Sequence, residues 1–171
     1  MNTIKYGAWL LWLTSTIALH AQTGPNDVRA REIYKELVEI NTTDTPTGNV
    51  TKAAEAMAAR LKAAGFPAAD IQVLGPDPKK GNLVLRWRAG AGAGRRPILL
   101  LAHLDVVEAK REDWSFDPFT FLEKDGFFYG RGTSDDKAMA ATLTANLIRL
   151  KQENFTPVSY THLTLPTNRE V

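Results

Sequence analysis

"PILLLAHLD", residues 97–105, is the stretch on which the fold turns. A continuous apolar run between a connector and a loop reads as a central strand covered on both faces of a sheet. It ends on His103 and Asp105. Side chains two apart on an extended strand share a face, so these two project together while Leu104 points the other way. A carboxylate on that side can accept the second imidazole N–H, fix the tautomer and make the other ring nitrogen a better metal ligand. Alone, a His-x-Asp at a strand end is more often an ordinary polar terminus, so a second segment has to decide.

Upstream, "NDVRAREIYKELVEI" from Asn26 or Asp27 places Val28, Ile33, Tyr34, Leu37, Val38 and Ile40 on one face and predicts an amphipathic helix. "NTTDTPTGN" breaks it. Asn49 caps a second helix, "VTKAAEAMAARLKAAG", closed by Gly65. "DIQVLG" and "NLVLRWRA" predict strands around the turn-rich "GPDPKKG". The glycines of "AGAGAGRR" precede a strand instead of linking a strand to a helix, which argues for a connector over a dinucleotide loop.

Downstream, "TFLEKDGFFYGRG" predicts a hairpin turning on Asp125-Gly126. Ser134 or Asp135 is expected to cap a long helix, "DDKAMAATLTANLIRLKQENF", with Met139, Leu143, Leu147 and Leu150 close to one face. Later strands would be needed to cover "LIRLKQENF". The order α-α-β-β-β-ββ-α implies an α/β class fold, a mixed sheet flanked by helices.

Composition narrows the chemistry. The net charge is +2, from 21 basic and 19 acidic side chains that are scattered rather than blocked. No stripe for nucleic acid follows from that pattern. Cysteine is absent, which removes disulfides, thiolate zinc sites and cysteine nucleophiles together. Any metal must use imidazole and carboxylate.

Both ends stand apart. Lys5 precedes the apolar "GAWLLWLTSTIAL" and the small residues of "LHA", which predicts an export signal over residues 1–21, cut after Ala21 or, second, Ala18. The mature chain is then expected to be periplasmic or secreted, with no lipid anchor and no membrane association after cleavage. Residues 158–171, "VSYTHLTLPTNREV", written as codons resemble a transposase-type sequencing adapter read through in frame, and no strand is expected there. The native part of the domain is accordingly expected over 22–157. Of the three histidines, His20 lies in the signal and His162 in the adapter-like tail, leaving His103 as the native one.

The second segment is "YGRGTSDDKA". Gly130 and Gly132 permit torsions and close approaches denied to other residues, and two adjacent acids follow where a hairpin arm becomes a helix. Helix capping accounts for one of Asp135 and Asp136, but not for the pair behind a Gly-Arg-Gly lead-in. With "LLLAHLDVV" and "WSFDPF", this segment resembles the first half of a zinc metallopeptidase family. That family comprises aminoacylases, carnosinase-type dipeptidases, glutamate carboxypeptidases and succinyl-diaminopimelate desuccinylases, and the resemblance covers about residues 27–157.

The resemblance implies a zinc-exopeptidase-like catalytic domain, truncated before its second half. It makes His103 a ligand of one metal, Asp105 the catalytic-site carboxylate that orients it, and Asp135 the bridge between two metals. Asp136 and Lys137 match the motif without a ligand role, and Ala138 departs from the glycine of many members. Two Zn2+ ions per intact site are implied, with Co2+ or Mn2+ suited to the same nitrogen and oxygen donors. Ions about 3.5–4 Å apart can share a water, lower its pKa and polarise a scissile carbonyl. The substrate implied is a small peptide or N-acyl amino acid, and the intact protein a homodimer.

The family's general base comes from a downstream Glu-Glu pair. Glu170 stands near that separation but is single and within the adapter-like tail. The chain itself is therefore expected to be inactive. A serine hydrolase lacks its G-x-S-x-G elbow here, and a zincin its H-E-x-x-H. The remaining alternative is an exported binding protein that keeps the peptidase scaffold without catalysis.

Overall fold

The computed structural model describes residues 23–91 and 94–167. The export signal expected over 1–21 and the residues from Asn168 onward lie outside the described residues.

Helix α1, Pro25–Glu39, starts one or two residues earlier than Asn26 or Asp27 would have it. Gly24 is the N-cap, its N–H donates to the Asp27 carboxylate at 2.8 Å, and Pro25 occupies the first turn, where a missing N–H costs nothing. Ile33, Leu37 and Val38 are buried, whereas Val28 is left out in solvent. The helix stops where Asn41 turns on itself, its Oδ1 accepting from the Thr43 N–H (3.0 Å) and Thr43 Oγ1 (2.7 Å). Helix α2, Val50–Ala63, is capped as expected by Asn49, which accepts from Lys52 N at 3.1 Å. Gly65 ends it at φ +93, a torsion that favours glycine, while Phe66 N reaches back to Leu61 O at 3.2 Å.

Strands β1 (Ile71–Leu74) and β2 (Asn82–Trp87) pair antiparallel around the predicted turn. The hairpin also holds: β4 (Leu122–Lys124) and β5 (Phe127–Tyr129) flank Asp125 and Gly126, both at positive φ, in a two-stranded sheet of its own. Helix α3 is Lys137–Gln152. Its N-cap is Asp136, not Ser134 or Asp135, and Asp136 makes no side-chain capping bond. The buried stripe of α3 runs through Lys137, Ala141, Thr144 and Ile148, with Met139 half exposed.

Two expectations about the sheet are corrected. Thr161–Leu165, set aside as part of an adapter-like tail without strand character, forms strand β6. The sheet order is β1-β2-β6-β3, with β6 antiparallel to β2 and parallel to β3 (Ile98–Leu101). Hydrogen bonds on both sides satisfy its backbone, and Leu163 and Leu165 point into the core. Consequently β3 is not central among the described residues: β6 lies on one side only, and Leu99 and Leu101 are 62% and 57% exposed. The β6 leucines join Leu83, Leu85, Trp87, and the buried faces of α1, α2 and α3, in one cluster that includes Leu147 and Ile148. Each fully buried leucine in that cluster contributes roughly 1.5–3 kcal/mol.

Candidate metal centre

Beyond Leu101 the chain leaves regular strand but keeps ladder bonds, with Ala102 N to Thr164 O at 3.3 Å and Leu104 N to Pro166 O at 3.1 Å. This keeps the alternation expected from the sequence. Ala102, Leu104 and Val106 are buried, and His103 and Asp105 turn the other way, partly exposed. The loop after α1 grips the same stretch: Thr42 Oγ1 donates to Leu104 O at 2.7 Å, and Val106 N donates to Thr42 O at 3.3 Å.

The glycine turn then brings Asp135 to meet the histidine. Gly130 (φ +151) and Gly132 (φ +86) are both tight: an added Cβ would stand 2.7 Å from Val38 Cγ1 at the first and 2.8 Å from Val106 Cγ1 at the second. Tyr34 OH, whose pKa burial raises against the lowering effect of its hydrogen bond, donates to Thr133 O and ties the turn to α1. The peptide between Asp135 and Asp136 is cis.

His103 Nε2 lies 2.9 Å from Asp135 Oδ1, across 32 residues of sequence. On its other side Nδ1 is 3.0 Å from the Asp105 carbonyl oxygen and 3.4 Å from the Asp105 carboxylate. The orienting contact is thus first to the Asp105 backbone, with the carboxylate behind it. Both ring nitrogens face oxygens that can only accept, so the metal-free ring favours two protons. Burial pulls the His103 pKa down, but the hydrogen bonds and charges of Asp135 and Asp105 overcome it, and the net shift is upward.

These residues line a cleft of about 220 Å³ with Gly130, Arg131 and Ser134. A recess of about 290 Å³ under Thr42, Thr43 and Lys79 meets it at Asp105, Val106 and Val107. The Asp135 side chain is 86% exposed, so one carboxylate oxygen rests on His103 while the group stays open to solvent. Imidazole nitrogen and carboxylate oxygen are donors that zinc, cobalt and manganese accept. The arrangement fits one corner of such a site, for among the described residues no three His, Cys, Asp or Glu side chains form a metal-holding group.

Sequence reasoning left Lys137 without a role. It is fully buried, its Nζ donates to Ile40 O at 2.8 Å, and burial pushes its pKa from 10.5 down to about 7. The signal was there in the spacing of Lys137 with Ala141, Thr144 and Ile148, which puts it on the inward stripe of α3.

Comparison with known proteins gives the class first: sequence and fold together mark a relative of peptidases and amidohydrolases. The family model is peptidase family M20/M25/M40, matched over residues 99–165, so the match spans both His103 and Asp135 and runs to the end of β6. Acetylornithine deacetylase from Vibrio campbellii is 36% identical over 115 residues, which are 64% of this chain and 28% of that protein. The human N-fatty-acyl-amino acid synthase/hydrolase PM20D1 is 44% identical over 68 residues, 40% of this chain and 14% of that protein. The chain thus spans under a third of the length of these relatives. Among solved structures, human carnosine dipeptidase 1 superposes with a TM-score of 0.65 at 20% identity, covering 82% of this chain and 32% of that one. The resemblance read from the motifs stands, and the α/β fold is shared.

Proposed function

We propose that this chain is the N-terminal part of an exported metallohydrolase that cleaves peptide or amide bonds, of exopeptidase, dipeptidase or deacylase type. Its substrate is a small peptide or N-acyl amino acid, and the intact site takes two zinc ions. The observation that carries this reading is the approach of His103 Nε2 to Asp135 Oδ1 at 2.9 Å from two separate segments, beside a cleft. A deacetylase and an N-fatty-acyl-amino acid synthase/hydrolase among the relatives support the type of bond.

Bound ions supply a water of lowered pKa and a charge that polarises the scissile carbonyl. The residues do the rest. His103 would hold an ion through Nε2 in its deprotonated form, with Nδ1–H donating to Asp105 to fix the ring. Asp135, its exposed carboxylate beside His103 Nε2, would be the acidic ligand shared by the ions. On this reading the described residues hold one corner of the site and by themselves hydrolyse nothing.

The test uses the uninterrupted gene product. Chelation should abolish amide hydrolysis, and His103→Ala or Asp135→Ala should remove most of it. Asp105→Ala should cost about 10–100-fold, as expected for a group that orients a ligand. Wild-type rates in the His103 or Asp135 variant would sink the assignment.

A further inference from the structure

A lysine with no exposed surface is unusual, because removing an ammonium from water is costly unless something in the fold requires it. Among the described residues no carboxylate forms an ion pair with Lys137, whose Nζ donates to the Ile40 carbonyl. That carbonyl is the C-cap of α1, two residues before Thr42. Thr42 in turn holds the backbone on either side of Asp105, through Leu104 O and Val106 N.

The end of α1 is therefore a hub. One spoke runs through Thr42 to the segment of His103 and Asp105. The other runs through the Lys137 side chain to the turn that carries Asp135, since Lys137 N also donates to Gly132 O at 3.2 Å. The lysine stem fills the space beside Gly132, where an added Cβ would lie 2.9 Å from Lys137 Cδ and 2.8 Å from Val106 Cγ1. Stem and head thus touch two of the segments that build the site, the glycine turn and the end of α1.

Resting on the metal-centre reading above, we propose that Lys137 is a positioning residue: its bond to Ile40 and its stem against Gly132 set the distance between Asp135 and His103. It touches neither metal nor substrate. Its role is to hold two strips of backbone in register so that a nitrogen and an oxygen converge.

The experiment uses the uninterrupted gene product with cobalt(II) as the probe. Two readouts are taken: cobalt affinity from the visible absorption of the bound ion, and the ¹⁵N shifts of the His103 ring in the metal-free chain. Lys137→Met keeps the stem and removes the N–H donors. We expect it to lower cobalt affinity by about tenfold or more and to move the His103 Nε2 shift. Leu61→Ala, a truncation of a fully buried leucine in α2, is the control for general destabilisation and should move neither. Unchanged cobalt affinity and ring shifts in Lys137→Met would overturn the proposal, as would equal losses in Leu61→Ala. If Lys137→Met does not fold, Lys137→Gln, with a shorter reach, carries the same expectation and the same overturning result. Absence of cobalt binding in the wild-type uninterrupted gene product would count against the metal reading, and the ring shifts alone would then decide the part played by Lys137.

Discussion

Strands β3 and β6 are neighbours in one sheet, yet each reverses what its composition suggests. Ile98–Leu101 is entirely aliphatic and lies at the edge, with three of its four residues more than half exposed. Thr161–Leu165 carries two threonines and a histidine and lies in the interior of the sheet, its two leucines sealed. The difference teaches that a strand is buried by its neighbours rather than by its own apolarity. β6 has β2 on one side and β3 on the other, with helices above Leu163 and Leu165, whereas β3 is paired on one side among the described residues.

Three measurements can break or sharpen this contrast. The largest effect is expected at Leu163→Asp, which buries an unpaired carboxylate where a leucine was sealed; the far-ultraviolet circular dichroism of the folded chain should be lost. A folded Leu163→Asp chain would mean that β6 is dispensable and the contrast empty. A smaller effect, roughly a few kcal/mol, concerns a charge that neighbours have buried. Burial lowers the Lys137 pKa from 10.5 to about 7, so between those values the unfolded chain binds a proton that the folded chain does not. This group's contribution to stability then rises as pH climbs from about 7 to 10.5 and is level below that window. Denaturant titrations across it should show a slope in wild type that Lys137→Met lacks, and equal slopes would remove the burial argument. The smallest effect belongs to the most apolar strand: Leu99→Ala should change stability by less than about 0.5 kcal/mol, because little is packed against that side chain. A loss of about 2–5 kcal/mol, as for a core leucine, would show that the β3 face is covered in solution.

What could be read beforehand follows the range of the forces concerned. Asn49 as a cap, Gly65 as a terminator and Asp125-Gly126 as a hairpin turn are local events, decided by torsions and hydrogen bonds within a few residues, and each is found as expected. His103 and Asp105 were paired by strand alternation, Asp135 was added through the family resemblance, and the structure brings all three to one cleft. The edge position of β3, the strand at Thr161–Leu165 and the cap at Asp136 depend on what lies alongside in three dimensions. Leu163 and Leu165 did carry a period-two signal, but five residues are too few to separate a strand from a loop without knowing their neighbours. Lys137 was hidden by its chemistry, since lysine is read as a surface residue until its helical stripe is counted.

The parallel pairing of β3 with β6 has a directional consequence. Neighbours that run the same way discharge their carboxyl ends at a common rim, and here that rim is where the imidazole of His103 looks out. Thr167, just past β6, accordingly lines the recess that Asp105 also lines. Geometry of this kind lets adjacent parallel strands deliver side chains to one border of the sheet.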